Sequence, residues 1–174
     1  LETIGHKDAF YYVEELVKNK APLTEKVIKD IHTLVLMDKP QDRGIYRRIP
    51  VTILGAIDEP PQPYLVPIQM EQLIEEYNEK MKDKHIIHPF IDGNGRTGRL
   101  ILNLELMKEG YPPINIKFKD RRKYYECFVD FHSKNNNPSM LVNMVEKYIE
   151  EELKKYISIL EIANNFINDL EIEP

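Results

Sequence analysis

His88-Pro89-Phe90-Ile91-Asp92-Gly93-Asn94-Gly95-Arg96-Thr97-Gly98-Arg99 is the stretch that decides how this chain reads. Gly93, Gly95 and Gly98 let a backbone turn tightly and bring its N–H groups close to a ligand. A histidine and an aspartate stand ahead of them, and Arg96 and Arg99 are interleaved with them. The spacing predicts a helix over 97–108, with Leu100, Ile101, Leu104 and Met107 on one stripe and Gly110-Tyr111-Pro112-Pro113 as its stop. A glycine loop that runs into a helix N-terminus makes an anion site from unpaired amides and the positive end of the helix dipole. Arginines there add charge that pairs bidentately with phosphate oxygens. The expected ligand is a polyphosphate.

The same glycines satisfy G-x-G-x-x-G, the dinucleotide-binding pattern, but that fingerprint needs a buried β-branched strand just before its first glycine. Asp83-Lys84-His85-Ile86-Ile87-His88-Pro89 is too polar and proline-broken to be one. The phosphate-loop pattern G-x-x-x-x-G-K-[ST] does not occur. Asp92 alone would read as a turn residue, and only its place between His88 and the glycines raises it.

From His88 to Arg99 the chain resembles the Fic family at every defining position of that family's signature: histidine-proline-phenylalanine, any residue, an acid, glycine-asparagine-glycine-arginine, two residues, arginine. Gly44-Ile45-Tyr46-Arg47, the apolar and proline-rich stretch 51–67, Gly110-Tyr111-Pro112-Pro113 and Arg121-Arg122-Lys123-Tyr124-Tyr125 are similar to further landmarks of the family. The resemblance implies a mostly α fold with a short β-hairpin flap over the active-site loop. It also implies a protein adenylyltransferase, which moves AMP from ATP to a serine, threonine or tyrosine hydroxyl.

Carried over by residue, the resemblance makes His88 the general base, a role suited to an imidazole of ordinary pKa near 6.5. It makes Asp92 the Mg²⁺ ligand, since this hard ion prefers carboxylate and phosphate oxygens. Asn94 with the amides of Gly93 and Gly95 would cradle the α- and β-phosphates, Arg96 the β-phosphate and Arg99 the γ-phosphate. Phe90 would anchor the loop in the core. Kinase-type relatives carry lysine at the second loop glycine, so Gly95 favours nucleotidyl transfer. Tyr124 and Tyr125 would border the nucleobase. Val51, Thr52, Ile53 and Leu54 would form the flap on which the target docks by strand addition. Without the likeness, that stretch reads as an ordered surface loop.

The chain also departs from the family. About fifteen residues that relatives carry before the motif histidine have no counterpart, with a seam near 84–87: either a deletion, which would remove scaffold that positions the base, or, the favoured reading, a stretch closed up in the sequence. The family's restraining helix, a serine or threonine with glutamate four positions on, has no match. Restraint then falls to another segment, to an antitoxin-like protein, or to nothing, in which case the enzyme also modifies itself. Rival readings are a nucleotide-binding regulator or toxin–antitoxin component without transfer, and a Fic enzyme that uses another nucleotide or removes AMP.

The rest of the sequence sets bounds. A chain of 174 residues is one domain by length, read here as a core over about 6–132 and a helical region over about 138–167, and it buries roughly 70% of its unfolded surface. Hydrophobic content of 42% with 30% charged residues is globular. A net charge of −5 argues against nucleic acid as a partner. One cysteine, Cys127, excludes an internal disulfide framework, and no apolar run approaches a membrane span, so the default is a cytoplasmic protein. Helical periodicity predicts further helices over 6–20, 24–37, 67–82 and 138–166, the last either packed on the core or offering a face to a second subunit. His6, His32 and His85 lack partners at metal-ligand spacing and read as structural or solvated. Arg47 and Arg48 either touch a ligand or close a loop.

Overall fold

The computed structural model describes residues 2–53, 59–79, 87–133 and 137–170. Six α-helices follow in order: α1 (Glu2–Lys18), α2 (Glu25–Val35), α3 (Val66–Asn78), α4 (Asn94–Lys108), α5 (Arg121–Ser133) and α6 (Ser139–Leu170). The mostly α reading holds. No strand occurs among the described residues, and Val51, Thr52 and Ile53 form no regular element. Leu54, the expected seam near 84–87 except Ile87, and His85 lie outside the described residues. Contacts group the chain into two compact units, Leu1–Glu109 and Gly110–Pro174.

In the first unit, α2 shows why these residues form a helix. Thr24 caps it, its Oγ1 accepting from the Val27 amide at 3.2 Å, and Lys29 pairs with Glu25 one turn away. Val27, Ile28, Ile31, His32 and Val35 recur at helical spacing and are all buried. This stripe meets Ala9 and Val13 of α1, Leu100 and Leu104 of α4, and Val66 and Met70 of α3 in one core. Ile87 and Phe90, from the segment before α4, join that core. The motif is thus fastened into the apolar interior at its own centre.

Helix α4 begins at Asn94, three residues earlier than the apolar stripe predicts. Its cap, Gly93, has φ +77, and the Thr97 amide already bonds the Gly93 carbonyl at 2.9 Å. Gly95 and Gly98 therefore belong to the helix and not to the loop.

The second unit pairs α5 with α6. Tyr148 donates to Asp120 Oδ2 at 2.6 Å and accepts from the Lys117 amide at 3.0 Å, while Lys117 pairs with Glu151 at 2.9 Å. Cys127 is buried, its Sγ 3.9 Å from Met144 Sδ. No helix among the described residues is long and apolar enough to cross a membrane.

Because Ile31 is fully buried at the meeting of α1, α2 and α4, Ile31→Ala is expected to lower the unfolding free energy by about 2–5 kcal/mol in urea titrations. The exposed Lys26→Ala should change it by less than about 0.5 kcal/mol.

Candidate active site

Phe90 holds the motif in place. Only 1% exposed, it stacks on the His32 ring at 3.6 Å between centroids and 5° between planes, and meets Tyr46 at 5.6 Å. Asn94 then closes the turn around it, its Oδ1 accepting from the Phe90 amide at 2.9 Å and its Nδ2 donating to the Phe90 carbonyl at 2.8 Å. Both polar ends of the Asn94 side chain are thereby committed to the loop's own backbone. Any role toward phosphate falls to its amide, in the first turn of α4, where N–H groups lack a carbonyl four residues back.

His32 is the second brace. Its Nδ1 accepts from the Gly44 amide at 2.9 Å, which places the proton on Nε2 and lets that nitrogen donate to the Asp92 carbonyl at 2.9 Å. The neutral tautomer is thus fixed by two backbone partners from different loops. A Cβ on Gly93 would lie 3.1 Å from His32 Nε2, so this ring and the positive φ both require glycine there.

Arg47 is the third. It is 4% exposed, and its side chain reaches carbonyls among the described residues: Nε to His88 at 2.9 Å, Nη1 to Ile49 at 3.3 Å, and Nη2 to Pro61 at 2.5 Å and Ile87 at 3.5 Å. Its amide donates to the Pro89 carbonyl at 2.9 Å. Of the two readings left open by the sequence, Arg47 is the loop closer. Held this way, His88 takes φ +45, a left-handed conformation that costs a non-glycine residue about 1–2 kcal/mol. Burial, with the Arg47 charge behind it, pushes the His88 imidazole below its ordinary pKa. It is therefore neutral at pH 7 and able to accept a proton.

Asp92 is half-exposed and already charged. Its Oδ1 accepts from the Gly93 amide at 2.6 Å and lies 3.5 Å from Arg96 Nη2, and its Oδ2 pairs with Lys39 at 2.6 Å. The Lys39 hydrogen bond is the main reason its carboxyl titrates below the usual range. With the Gly93 amide engaged, the amides that head α4 begin at Asn94 and Gly95. Gly95 is exposed, and a Cβ there would stand 3.4 Å from Arg99 Nη1, so the Arg99 guanidinium lies over the first turn.

The loop and the first turns of α4 thus carry His88, Asp92, Gly93, Asn94, Gly95, Arg96 and Arg99. Tyr124 and Tyr125 belong to the second unit: Tyr124 is buried and edge-on to Phe128 at 4.9 Å, and Tyr125 lies under the Arg121 guanidinium at 5.5 Å.

The Fic/DOC family model matches residues 22–106, and over 90% of its length the chain is 30% identical to the protein adenylyltransferase Fic of Nematostella vectensis. The chain belongs to the Fic family. It is also 35% identical over 139 residues to the protein adenylyltransferase Fic of Drosophila willistoni, covering 71% of this chain. It spans 40% and 28% of those two proteins. Fic-1 from C. elegans matches 93% of this chain and 52% of its own with a TM-score of 0.76 at 26% identity. A Fic domain containing signaling protein from Bacteroides thetaiotaomicron matches 88% of this chain and 69% of its own with a TM-score of 0.75 at 24% identity, which bears on the fold alone. The six-helix arrangement is thus a Fic fold.

Of the residues that brace the site, His32 reads from sequence as structural or solvated and is structural, Arg47 stands between two roles, and Lys39 gives no sign of its part. His32 stands on the apolar stripe of α2, one residue from Ile31, and a polar residue there is the one local signal of a bonded ring. Nothing local points to Lys39, which lies 53 positions from its partner.

Arg47→Ala would leave several buried carbonyls without a donor, and a loss of about 2–4 kcal/mol in chemical denaturation is expected. His32 and His88 are both held neutral by burial, so the unfolded chain binds more protons than the folded one as pH falls below about 6.5. Stability is expected to be flat above that pH and to decline from 6.5 to 5, before the carboxylates titrate, with a shallower decline for His88→Gln. Melting curves across this range check it.

Proposed function

We propose that this chain is the transfer unit of a Fic adenylyltransferase, moving AMP from ATP to a serine, threonine or tyrosine hydroxyl of a target protein, itself among the acceptors. The observation that carries the reading is a neutral imidazole, His88, held one tight turn ahead of an exposed helix N-terminus flanked by two arginines. Relatives named as protein adenylyltransferases support it.

As the hydroxyl oxygen bonds to the α-phosphorus, His88 takes its proton, and pyrophosphate departs with the electrons of the broken P–O bond. The amides that open α4 face charge as it builds on the transferred group, and Arg96 and Arg99 hold the β- and γ-phosphates. A Mg²⁺ fits this site only together with the nucleotide. Among the described residues no group of three or more His, Cys, Asp or Glu could hold a metal, so Asp92 would supply one carboxylate and the remaining ligands would come from the nucleotide and water. When bound, the ion would neutralise charge on the phosphates.

Gly95 supports nucleotidyl rather than phosphoryl transfer, because kinase-type relatives carry lysine at this position. Target docking on Val51, Thr52 and Ile53 is supported by their neighbours. Ile45, Arg48, Pro50, Gln62, Pro63 and Tyr64, on either side of that segment, line an open cleft with room for an extended peptide.

With labelled ATP and Mg²⁺, transfer to protein is expected to fall at least about 100-fold in His88→Ala, while nucleotide affinity measured by calorimetry stays within about twofold. Labelling that survives His88→Ala would reject the base. Mass spectrometry after incubation with mixed nucleotides identifies the donor by the mass it adds.

A further inference from the structure

The Asp92 carboxylate has two oxygens, and the loop uses them differently. Oδ1 is spent on the Gly93 amide at 2.6 Å, a bond that shapes the turn opening α4, with Arg96 Nη2 at 3.5 Å behind it. Among the described residues Oδ2 carries only the Lys39 ammonium, at 2.6 Å, so an arriving cation would exchange with that ammonium.

Lys39 is placed to surrender it. Its backbone sits at the centre of a turn: its amide donates to the Leu36 carbonyl at 3.0 Å, and its own carbonyl accepts from the amides of Asp42 at 3.0 Å and Arg43 at 3.3 Å. The stem is fixed while the head is wet, with Lys39 and Asp92 side chains 43% and 45% exposed. An ammonium on four methylenes can leave a half-exposed carboxylate for water at little cost. An arginine buried among carbonyls, such as Arg47, could not do so.

From this geometry we propose that Lys39 is a positioning residue acting through Asp92: it is the counter-ion of Asp92 before nucleotide arrives, and it yields Oδ2 to the divalent cation that accompanies the nucleotide. Metal entry is then an exchange of one cation for another. Without metal, Lys39 screens the incoming triphosphate from Asp92, and with metal it is in the way. The inference rests on Asp92 being the metal-facing carboxylate.

The test is a ratio: the affinity for α,β-methylene-ATP with Mn²⁺ divided by its affinity in EDTA, measured by calorimetry on the whole chain. Removing the ammonium both weakens metal-free binding and relieves competition, so Lys39→Met should raise the ratio about two- to fivefold, the scale of a half-exposed ion pair. Lys39→Arg should return it toward wild type, and melting curves confirm that each variant is folded. In Asp92→Asn the ratio should drop toward one, and adding Lys39→Met to Asp92→Asn should not change it further. If Asp92→Asn keeps the wild-type ratio, the metal role of Asp92 fails and this inference with it. If Asp92→Asn abolishes the ratio but Lys39→Met leaves it unchanged or lowers it, Lys39 alone is overturned and the metal role stands.

Discussion

The face-to-face contact of Phe90 with His32 is the interaction on which the site depends. A loop of glycines and charged residues has no apolar reason to adopt a single shape, and its ordering entropy opposes one, at about 1–2 kcal/mol per residue. Burying one aromatic ring at its centre supplies the opposing term. With Phe90 pinned, Asn94 can close the turn on the Phe90 backbone, His32 can bond the Asp92 carbonyl, and Gly93 can cap α4. Each step presupposes the one before.

Core and chemistry are therefore not separate regions of this molecule. The apolar stripe of α2 includes His32, which belongs to both: its face is packing for Phe90, and its two nitrogens tie Gly44 to the motif. Arg47 repeats the arrangement from the other side, a cation surrounded by carbonyls that holds the His88 backbone in a conformation it would not choose alone. The strain at His88 is offset by a network of short-range bonds to main chain, and main-chain acceptors cannot move away as side chains can.

Much of this is legible in the sequence. The helices follow from 3.6-residue periodicity, and the His88–Arg99 string carries its chemistry in residue type and spacing. What escaped has a common physical cause. The start of α4 was read three residues late because apolar spacing marks where a helix is buried, whereas its true start is set by the left-handed cap at Gly93, ahead of any apolar residue. Lys39 and Arg47 act on partners 53 and 41 positions away, and ion pairs or arginine–carbonyl contacts at such separation leave no periodic trace.

Gly93 and Gly95 look alike in the sequence but differ in what surrounds them. At 93 a side chain meets the His32 ring and a backbone angle that forbids it; at 95 it meets only solvent and the far end of one arginine. The loop thus couples a locked position to an open one two residues along. Evolution can vary the second without unfolding the first, which makes the phosphate end of this scaffold a place where new reactivity arises at small structural expense.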